Sequence, residues 1–250
     1  MTAAHREFFA AGAEVAITAS YQASFDGFAA IGIDRAEAET LMRRSVGVAR
    51  VAAGETSDGC WVAASVGPYG AALADGSEYR GDYGLTVAEL RAWHRPRLAV
   101  LADAGADVLA CETLPCLAEA EALLTELAGS GVPCWLSMTA VGDRTRAGEP
   151  LTDAFAMAAE VTEVVAVGVN CVDPGQVSEQ VRIAAGSGKP VVVYPNSGEV
   201  WDPIGRRWDG RSRIDAAGAA GWVKAGARLV GGCCRVTPAM IKQLSRARDE

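Results

Sequence analysis

The sequence predicts a parallel α/β protein, and the (β/α)8 barrel is the architecture that fits it best. Half of its 250 residues are hydrophobic but only 6% are aromatic, and such small apolar residues are typical of helices packed closely onto parallel strands. Short β-branched segments alternate with longer helical segments along the whole chain, with no break that would mark a second domain. Polar residues and cysteines follow the ends of the strands, where the active sites of barrels lie. We therefore expect one domain over residues 1–250.

The alternation gives specific strands and helices. The predicted strands are 14–18, 61–66, 107–112, 134–139, 164–170, 190–195 and 228–232. The predicted helices are an amphipathic helix within 1–13, followed by 35–53, 87–104, 117–128, 152–161, 174–185, 212–225 and 238–248.

The helix boundaries carry recognisable signals. Thr86 is a predicted N-cap with Glu89 at the third helical position. Thr237 is a second predicted N-cap, followed by Pro238 in the first turn of its helix. An Ala-Gly-Ala phrase recurs at 11–13, 104–106 and 225–227, which places a glycine directly after a helix. Helix, glycine cap, strand and loop form the repeating unit of a parallel sheet. A doubly wound open sheet is the alternative, although no Gly-x-Gly-x-x-Gly or Walker motif supports its nucleotide-binding form.

Composition also bears on partners and location. A net charge of −8 argues against nucleic acid or an anionic membrane as a partner, because both require a basic face. No apolar run reaches the roughly 18 residues that a membrane-spanning helix needs. The first residues lack the apolar core of a signal peptide. We therefore expect a cytoplasmic protein.

Three of the seven cysteines are candidates for a metal site. Cys171 follows Asn170 at the end of one predicted strand, and Cys233 and Cys234 follow Gly231-Gly232 at the end of another. In a barrel these ends share one rim, so the three thiols can meet. Three thiolates with one open position are typical of a catalytic zinc site that accepts a further sulfur. The alternatives for Cys233-Cys234 are two small buried residues or a vicinal disulfide.

The remaining cysteines and the two histidines are predicted to lie outside this site. The other cysteines are predicted core residues, with Cys116 the nearest of them to the rim. His5 and His94 both fall in helices, away from the strand ends, so neither is placed for acid–base catalysis. Glu112 ends a strand at the rim, where it either holds a substrate ammonium group or forms a rim salt bridge.

Several motifs together resemble the homocysteine S-methyltransferase family, in the branch that uses S-methylmethionine or S-adenosylmethionine. The resemblance covers essentially the whole chain. It is carried by Gly-Val-Asn-Cys at 168–171, Gly-Gly-Cys-Cys-Arg-Val-Thr-Pro at 231–238, and the phrases at 17–24, 65–70, 74–83 and 194–199.

This resemblance implies a zinc-dependent barrel that forms methionine. Cys171, Cys233 and Cys234 match the zinc ligands of the family, and the thiol of L-homocysteine would take the fourth position as a thiolate. That thiolate would attack the methyl group of a sulfonium donor, so no catalytic side chain is implied beyond the activated substrate thiol. Glu112 matches the carboxylate that holds the homocysteine ammonium group, and Thr18 and Asn170 would line the same site. We expect a monomer or a small homo-oligomer.

The sequence departs from the family pattern at its start. Family members begin with a strand bearing an Asp-Gly-Gly or similar phrase, whereas seven strands are predicted here and that first strand is missing. An incomplete barrel with unpaired strand edges is therefore expected. Either the working protein is longer, which the intact downstream motifs favour, or the chain is a degenerate member.

Other functions stay open at this point. A non-catalytic module that binds zinc and homocysteine is one, and methyl transfer from betaine or to selenocysteine is another. A third is a subunit that delivers activated homocysteine to a cobalamin-binding partner.

Overall fold

Seven parallel strands, in the order in which they follow one another along the chain, form the central sheet of the protein. The computed structural model describes residues 1–56, 59–202, 205 and 207–246. The strands are β1 (Val15–Ile17), β2 (Trp61–Val66), β3 (Val108–Leu114), β4 (Cys134–Met138), β5 (Val164–Asn170), β6 (Val191–Tyr194) and β7 (Ala227–Val230). Every predicted strand is present, with ends that differ by no more than two residues.

One helix precedes β1, and the others follow the strands. They are α1 (Thr2–Ala10), α2 (Phe25–Ala30), α3 (Arg35–Gly54), α4 (Tyr69–Leu73), α5 (Val87–Ala102), α6 (Leu117–Leu127), α7 (Leu151–Ala159), α8 (Val177–Ala185), α9 (Ala216–Ala225) and α10 (Pro238–Arg246). The capping box predicted at Thr86 is confirmed. Helix α9 begins later than predicted because the Asp215 side chain accepts a hydrogen bond from Gly218 N at 2.7 Å and caps it there. Residues 247 and 248, at the end of the last predicted helix, lie outside the described residues.

The sheet is covered on both faces, which explains its continuous apolar strands. All seven residues of β3 are buried. Leu109 and Cys111 belong to the large core between sheet and helices, whereas Val108 and Ala110 belong to a second core on the inner face. The inner core consists of Ala63, Val108, Ala110, Trp135, Ala166, Val192 and Tyr194. A sheet with packed side chains on its concave face is a curled half-barrel, as predicted.

Gly168 shows how closely two of these strands approach. A Cβ at this position of β5 would lie 1.7 Å from the carbonyl oxygen of Val192 in β6. Only glycine allows the two backbones to pair here, so the glycine of the 168–171 motif is required by strand packing.

The barrel is not closed. Among the described strands, β1 pairs only with β2 and β7 pairs only with β6. A cavity of about 750 Å³ separates them, lined mainly by apolar residues of α1, β1, β7 and α10, including Phe9, Ile17, Leu229 and Ile241. The incomplete barrel expected from the sequence is therefore confirmed.

The connections that follow the strands contain short elements that the sequence did not reveal. They are α2 after β1, α4 and the 3₁₀ turn Ser77–Tyr79 after β2, the hairpin of Ala140–Val141 with Arg144–Thr145 after β4, and the hairpin of Val200–Asp202 with Arg207–Asp209 after β6. All of them lie at the carboxyl ends of the strands, so they build the rim around the candidate site. None of the helices in the described ranges has the length and apolar character needed to cross a bilayer.

Candidate metal centre and substrate site

The three candidate cysteines meet at the carboxyl ends of β5 and β7. The sulfur atoms of Cys171, Cys233 and Cys234 all lie within 4.8 Å of one another. Cys171 and Cys233 are in disulfide contact, with their Cα atoms 5.6 Å apart, and Cys234 is free. The predicted meeting of the three sulfurs is therefore confirmed.

Unusual backbone geometry surrounds these sulfurs. Cys171 has φ +52°, Thr113 has φ +60° and Arg235 has φ +68°, all in the left-handed region that non-glycine residues rarely adopt. The hydroxyl of Thr113 lies 3.9 Å from the Cys171 sulfur, and Arg235 directly follows Cys234. Strained conformations of this kind persist where the surroundings fix them, and they concentrate at functional sites.

The loop after β6 holds the second and third cysteines in place. Cys233 N donates to Pro195 O at 2.7 Å, and Cys234 N donates to the Asn196 side-chain oxygen at 3.2 Å. Ser197 N donates in return to Cys234 O at 2.9 Å. In a regular strand, the side chains of two adjacent residues point to opposite faces of the sheet. The backbone at Cys233 and Cys234 has left the regular strand and is held by these hydrogen bonds, so both sulfurs can lie at the same centre.

Asn170 joins three strand ends beneath the centre. Its Oδ1 accepts from Thr113 N at 2.7 Å and from the Ser137 hydroxyl at 2.8 Å, and its Nδ2 donates to the Thr113 hydroxyl at 2.7 Å. The side chain is fully buried. Asn170 therefore fixes Thr113 beside Cys171, in addition to any contact it makes with a substrate.

Glu112 is a buried carboxylate at the end of β3. It accepts a hydrogen bond from the Ser65 hydroxyl. Burial raises its pKa to about 7, although hydrogen bonds from Ser65 and Tyr194 act in the opposite direction. Burial and the charge of Glu112 both raise the pKa of Cys234, which places the carboxylate near the sulfur centre. Glu112 has no cationic partner among the described residues, so the rim salt bridge considered as its alternative role is absent there.

Thr18 belongs to the same buried network. Its hydroxyl lies 2.8 Å from that of Ser20 and accepts from Ser65 N at 3.0 Å. Ser65 thus connects Thr18 to Glu112, and the predicted substrate residues of β1 and β3 share one wall of the half-barrel.

The remaining candidates lie away from the centre. His94 is completely buried and contacts Glu119 at 2.9 Å, and burial lowers its pKa. His5 lies on α1 beside the gap in the barrel. Cys111, Cys116 and Cys134 are buried core residues, and Cys60 is partly buried, as expected for cysteines outside the site.

Several polar residues of the site were not predicted as site residues from the sequence, although Thr113 is among the polar residues that the sequence places at the strand ends. Ser65, Thr113, Ser137 and Tyr194 contact Glu112 or Asn170. Each lies within the last three residues of its strand, so the rule that located Glu112 would also have found them.

The comparisons with known proteins agree with this geometry. The sequence profile of the homocysteine S-methyltransferase family matches residues 1–248. The homocysteine S-methyltransferase of Escherichia coli is 46% identical over 252 residues, and YbgG of Bacillus subtilis, also a homocysteine S-methyltransferase, is 42% identical over 259 residues. Each alignment covers 96% of this chain and 81% of the relative.

The chain belongs to the homocysteine S-methyltransferase family. The solved structure of the E. coli homocysteine methyltransferase MmuM in its metallated form superposes with a TM-score of 0.88 at 43% identity, covering 98% of this chain and 83% of that one. The substrates of this homocysteine S-methyltransferase are thus homocysteine and a methyl donor, and its cysteine cluster is a site that can hold a metal.

Proposed function

We propose that this homocysteine S-methyltransferase is zinc-dependent and transfers a methyl group from a sulfonium donor, S-methylmethionine or S-adenosylmethionine, to L-homocysteine, forming methionine. The observation that carries the proposal is the cluster of three cysteine sulfurs within 4.8 Å of one another at the strand ends. No histidine or carboxylate belongs to this cluster among the described residues.

The donor set suits zinc. Thiolates are soft ligands that select zinc over hard cations such as Mg²⁺ or Ca²⁺. Three protein ligands leave one position for a substrate. When bound by Cys171, Cys233 and Cys234, zinc would keep the homocysteine sulfur ionised at neutral pH. The three cysteines must be reduced for this, which supports a location in the reducing cytoplasm.

Glu112, Thr18 and Asn170 form the proposed amino-acid site. The Glu112 carboxylate is buried near Cys234 and has no cation beside it, so a substrate ammonium group would complete its charge pairing. Thr18 orients this wall through Ser65, and Asn170 fixes Thr113 next to the sulfurs.

The proposed chemistry needs no protein acid or base. The homocysteine sulfur supplies an electron pair to the donor methyl carbon, a new C–S bond forms, and the old C–S bond breaks. The donor sulfur keeps the bonding electrons and leaves as a neutral thioether, so no proton has to be delivered to it. The cysteine cluster includes no histidine among the described residues, which is consistent with this reaction.

The function is tested by loading the reduced protein with zinc and measuring both metal content and methionine formation. We expect about one zinc per chain, as for a single three-cysteine site. We also expect methionine from homocysteine with S-methylmethionine or S-adenosylmethionine, and a loss of activity on chelation that zinc restores. Glycine betaine is the comparison donor. Faster turnover with betaine, or full activity in the chelated protein, would contradict the proposal.

We further propose that the working protein is a single barrel domain in which an additional parallel strand lies between β1 and β7. The free edges of both strands and the apolar cavity of about 750 Å³ between them support this proposal. Protein translated from further upstream in the reading frame should unfold at a higher temperature than residues 1–250. Its β1 and β7 amides should also exchange more slowly with solvent. Equal melting temperatures and equal exchange would contradict the additional strand.

A further inference from the structure

Arg97 is a buried cation that connects two loops of the rim. It lies on α5 and is only 1% exposed. Its Nη1 donates to Gly67 O at 3.0 Å, and its Nη2 donates to Tyr21 O at 3.1 Å and to Ser20 O at 3.4 Å. One guanidinium therefore joins the loop after β1 to the loop after β2.

The Tyr21 side chain fits against the second of these loops. A Cβ added at Gly67 would lie 2.5 Å from Cδ2 of the Tyr21 ring and 2.5 Å from the carbonyl oxygen of Tyr21. Because Gly67 has no side chain, the Tyr21 ring can occupy the space where a side chain would lie. Arg97 thus fixes the backbone carbonyl of Tyr21, and Gly67, whose own carbonyl also accepts from Arg97, leaves room for the ring.

Tyr21 links this assembly to the sulfur centre. Its hydroxyl lies near Thr113, and this contact opposes the increase that burial causes in the pKa of Tyr21. The Thr113 hydroxyl in turn lies 3.9 Å from the Cys171 sulfur. A path of direct contacts therefore runs from Arg97 through Tyr21 and Thr113 to Cys171.

The arrangement is costly for a purely structural contact. Every hydrogen bond of the Arg97 guanidinium goes to an uncharged carbonyl, and its Nε has no partner among the described residues. The guanidinium packs on the Trp93 ring, 5.0 Å from its centroid. Burial of this charge is expensive, and the negative charge of the nearby Glu119 offsets only part of the cost, since the pKa of Arg97 is still lowered to about 10. A rigid planar donor is, however, well suited to holding several carbonyls in a fixed arrangement.

We propose that Arg97 is a positioning residue for methyl transfer, which holds the rim loop with Tyr21 in register over the cysteine centre. It touches neither substrate nor metal and acts through Tyr21 and Thr113. This inference rests on the proposed function, because it takes the cysteine centre as the place where the homocysteine sulfur reacts.

The test compares four variants by kcat, the dissociation constant for homocysteine, zinc content and melting temperature. We expect Arg97→Met to lower kcat roughly 10- to 100-fold, the loss that small misplacements near a reacting centre cause. Zinc per chain and the homocysteine dissociation constant should stay at the wild-type values. Arg97→Lys should recover part of kcat because an ammonium group still donates to one or two of the carbonyls. Gly67→Ala should reproduce the loss of kcat with Arg97 intact.

Arg50→Met is the matched control. Arg50 also donates to a backbone carbonyl, that of Gly105, at 2.9 and 2.8 Å, but this loop precedes β3 and lies at the opposite end of the strands. This variant should lower the melting temperature and leave kcat unchanged.

Two outcomes would overturn the inference. One is wild-type kcat in Gly67→Ala or in folded Arg97→Met, and the other is a loss of kcat in Arg50→Met as large as that in the Arg97 variants. If Arg97→Met does not fold, Arg97→Lys and Gly67→Ala decide the question. A wild-type protein without zinc-dependent turnover would instead contradict the proposed function, so the two failures are distinguishable.

Discussion

Changing Cys233 to Ser is expected to remove both the bound zinc and the methyl transfer. A serine hydroxyl does not ionise at neutral pH and is a poor zinc ligand, so Cys171 and Cys234 alone would have to hold the metal. Mutation of residues that only hydrogen-bond to the ligands of a metal already lowers metal affinity or activity by about 10- to 100-fold. We therefore expect activity to fall by more than about 100-fold, as measured by methionine formation and by metal analysis of the purified protein.

Cys60→Ser is the control for this experiment. Cys60 precedes β2, is partly buried, and contacts the Thr56 hydroxyl at 3.3 Å, away from the sulfur centre. Its replacement should leave zinc content and turnover unchanged. A Cys233→Ser protein that keeps one zinc per chain with undiminished affinity would refute the assignment of Cys233 as a ligand.

Changing Glu112 to Gln is expected to weaken homocysteine binding and to stabilise the free protein at the same time. Loss of a buried, charge-assisted contact to an ammonium group costs about 2–5 kcal/mol, so we expect the dissociation constant to rise about 100-fold. Calorimetric titration with homocysteine measures this change. In the wild type, binding should strengthen as the pH rises through about 7, because Glu112 then ionises.

The stability effect follows from the same pKa. Burial raises the pKa of Glu112 from 4.5 to about 7, so the folded protein binds a proton that the unfolded chain has already released. Stability is therefore lost as the pH rises from 4.5 to about 7. Glutamine has no charge to bury, so Glu112→Gln should raise the free energy of unfolding at pH 8 by roughly 1–3 kcal/mol, since one pKa unit is worth about 1.4 kcal/mol. Denaturant unfolding at pH 5 and pH 8 measures the difference.

Glu126 is a control because its pKa is shifted in the opposite direction from that of Glu112. Hydrogen bonds from Arg95 and Arg91 lower its pKa to about 2, so its contribution to stability is present above pH 4.5 and is lost as the pH falls toward 2. Glu126→Gln should destabilise the protein at pH 8 and leave homocysteine binding unchanged. If Glu112→Gln bound homocysteine as the wild type does, Glu112 would not be the partner of the ammonium group.

Much of the fold could be predicted because its repeating unit leaves a local signature. Buried strands appear in the sequence as runs of β-branched residues, and Ala-Gly-Ala phrases mark where helices end and strands begin. The meeting of Cys171 with Cys233 and Cys234 followed from topology alone, since all carboxyl ends of a parallel sheet lie on one side.

Other features depend on contacts between distant segments and leave no such signature. The short helices α2 and α4 lack the length at which periodicity becomes visible, and they form because the rim gives them a surface to pack on. The left-handed backbone of Thr113 and Cys171 is imposed by hydrogen bonds to Asn170 and Tyr194. Nor does an arginine in a helical pattern indicate that it will be buried against the carbonyls of two loops, as Arg97 is.

The chain-ordered sheet also determines when the cysteine centre is made. A polypeptide leaves the ribosome amino end first, and because each strand pairs with its sequence neighbour, β1 to β6 can assemble during synthesis. Cys171 is already in place at that stage, but Cys233 and Cys234 arrive only with the residues after β7, the last strand of the sheet. The complete trio therefore exists only once all seven strands of the sheet have been made. A metal that needs all three sulfurs as ligands could therefore bind only after the last strand of the sheet has been synthesised.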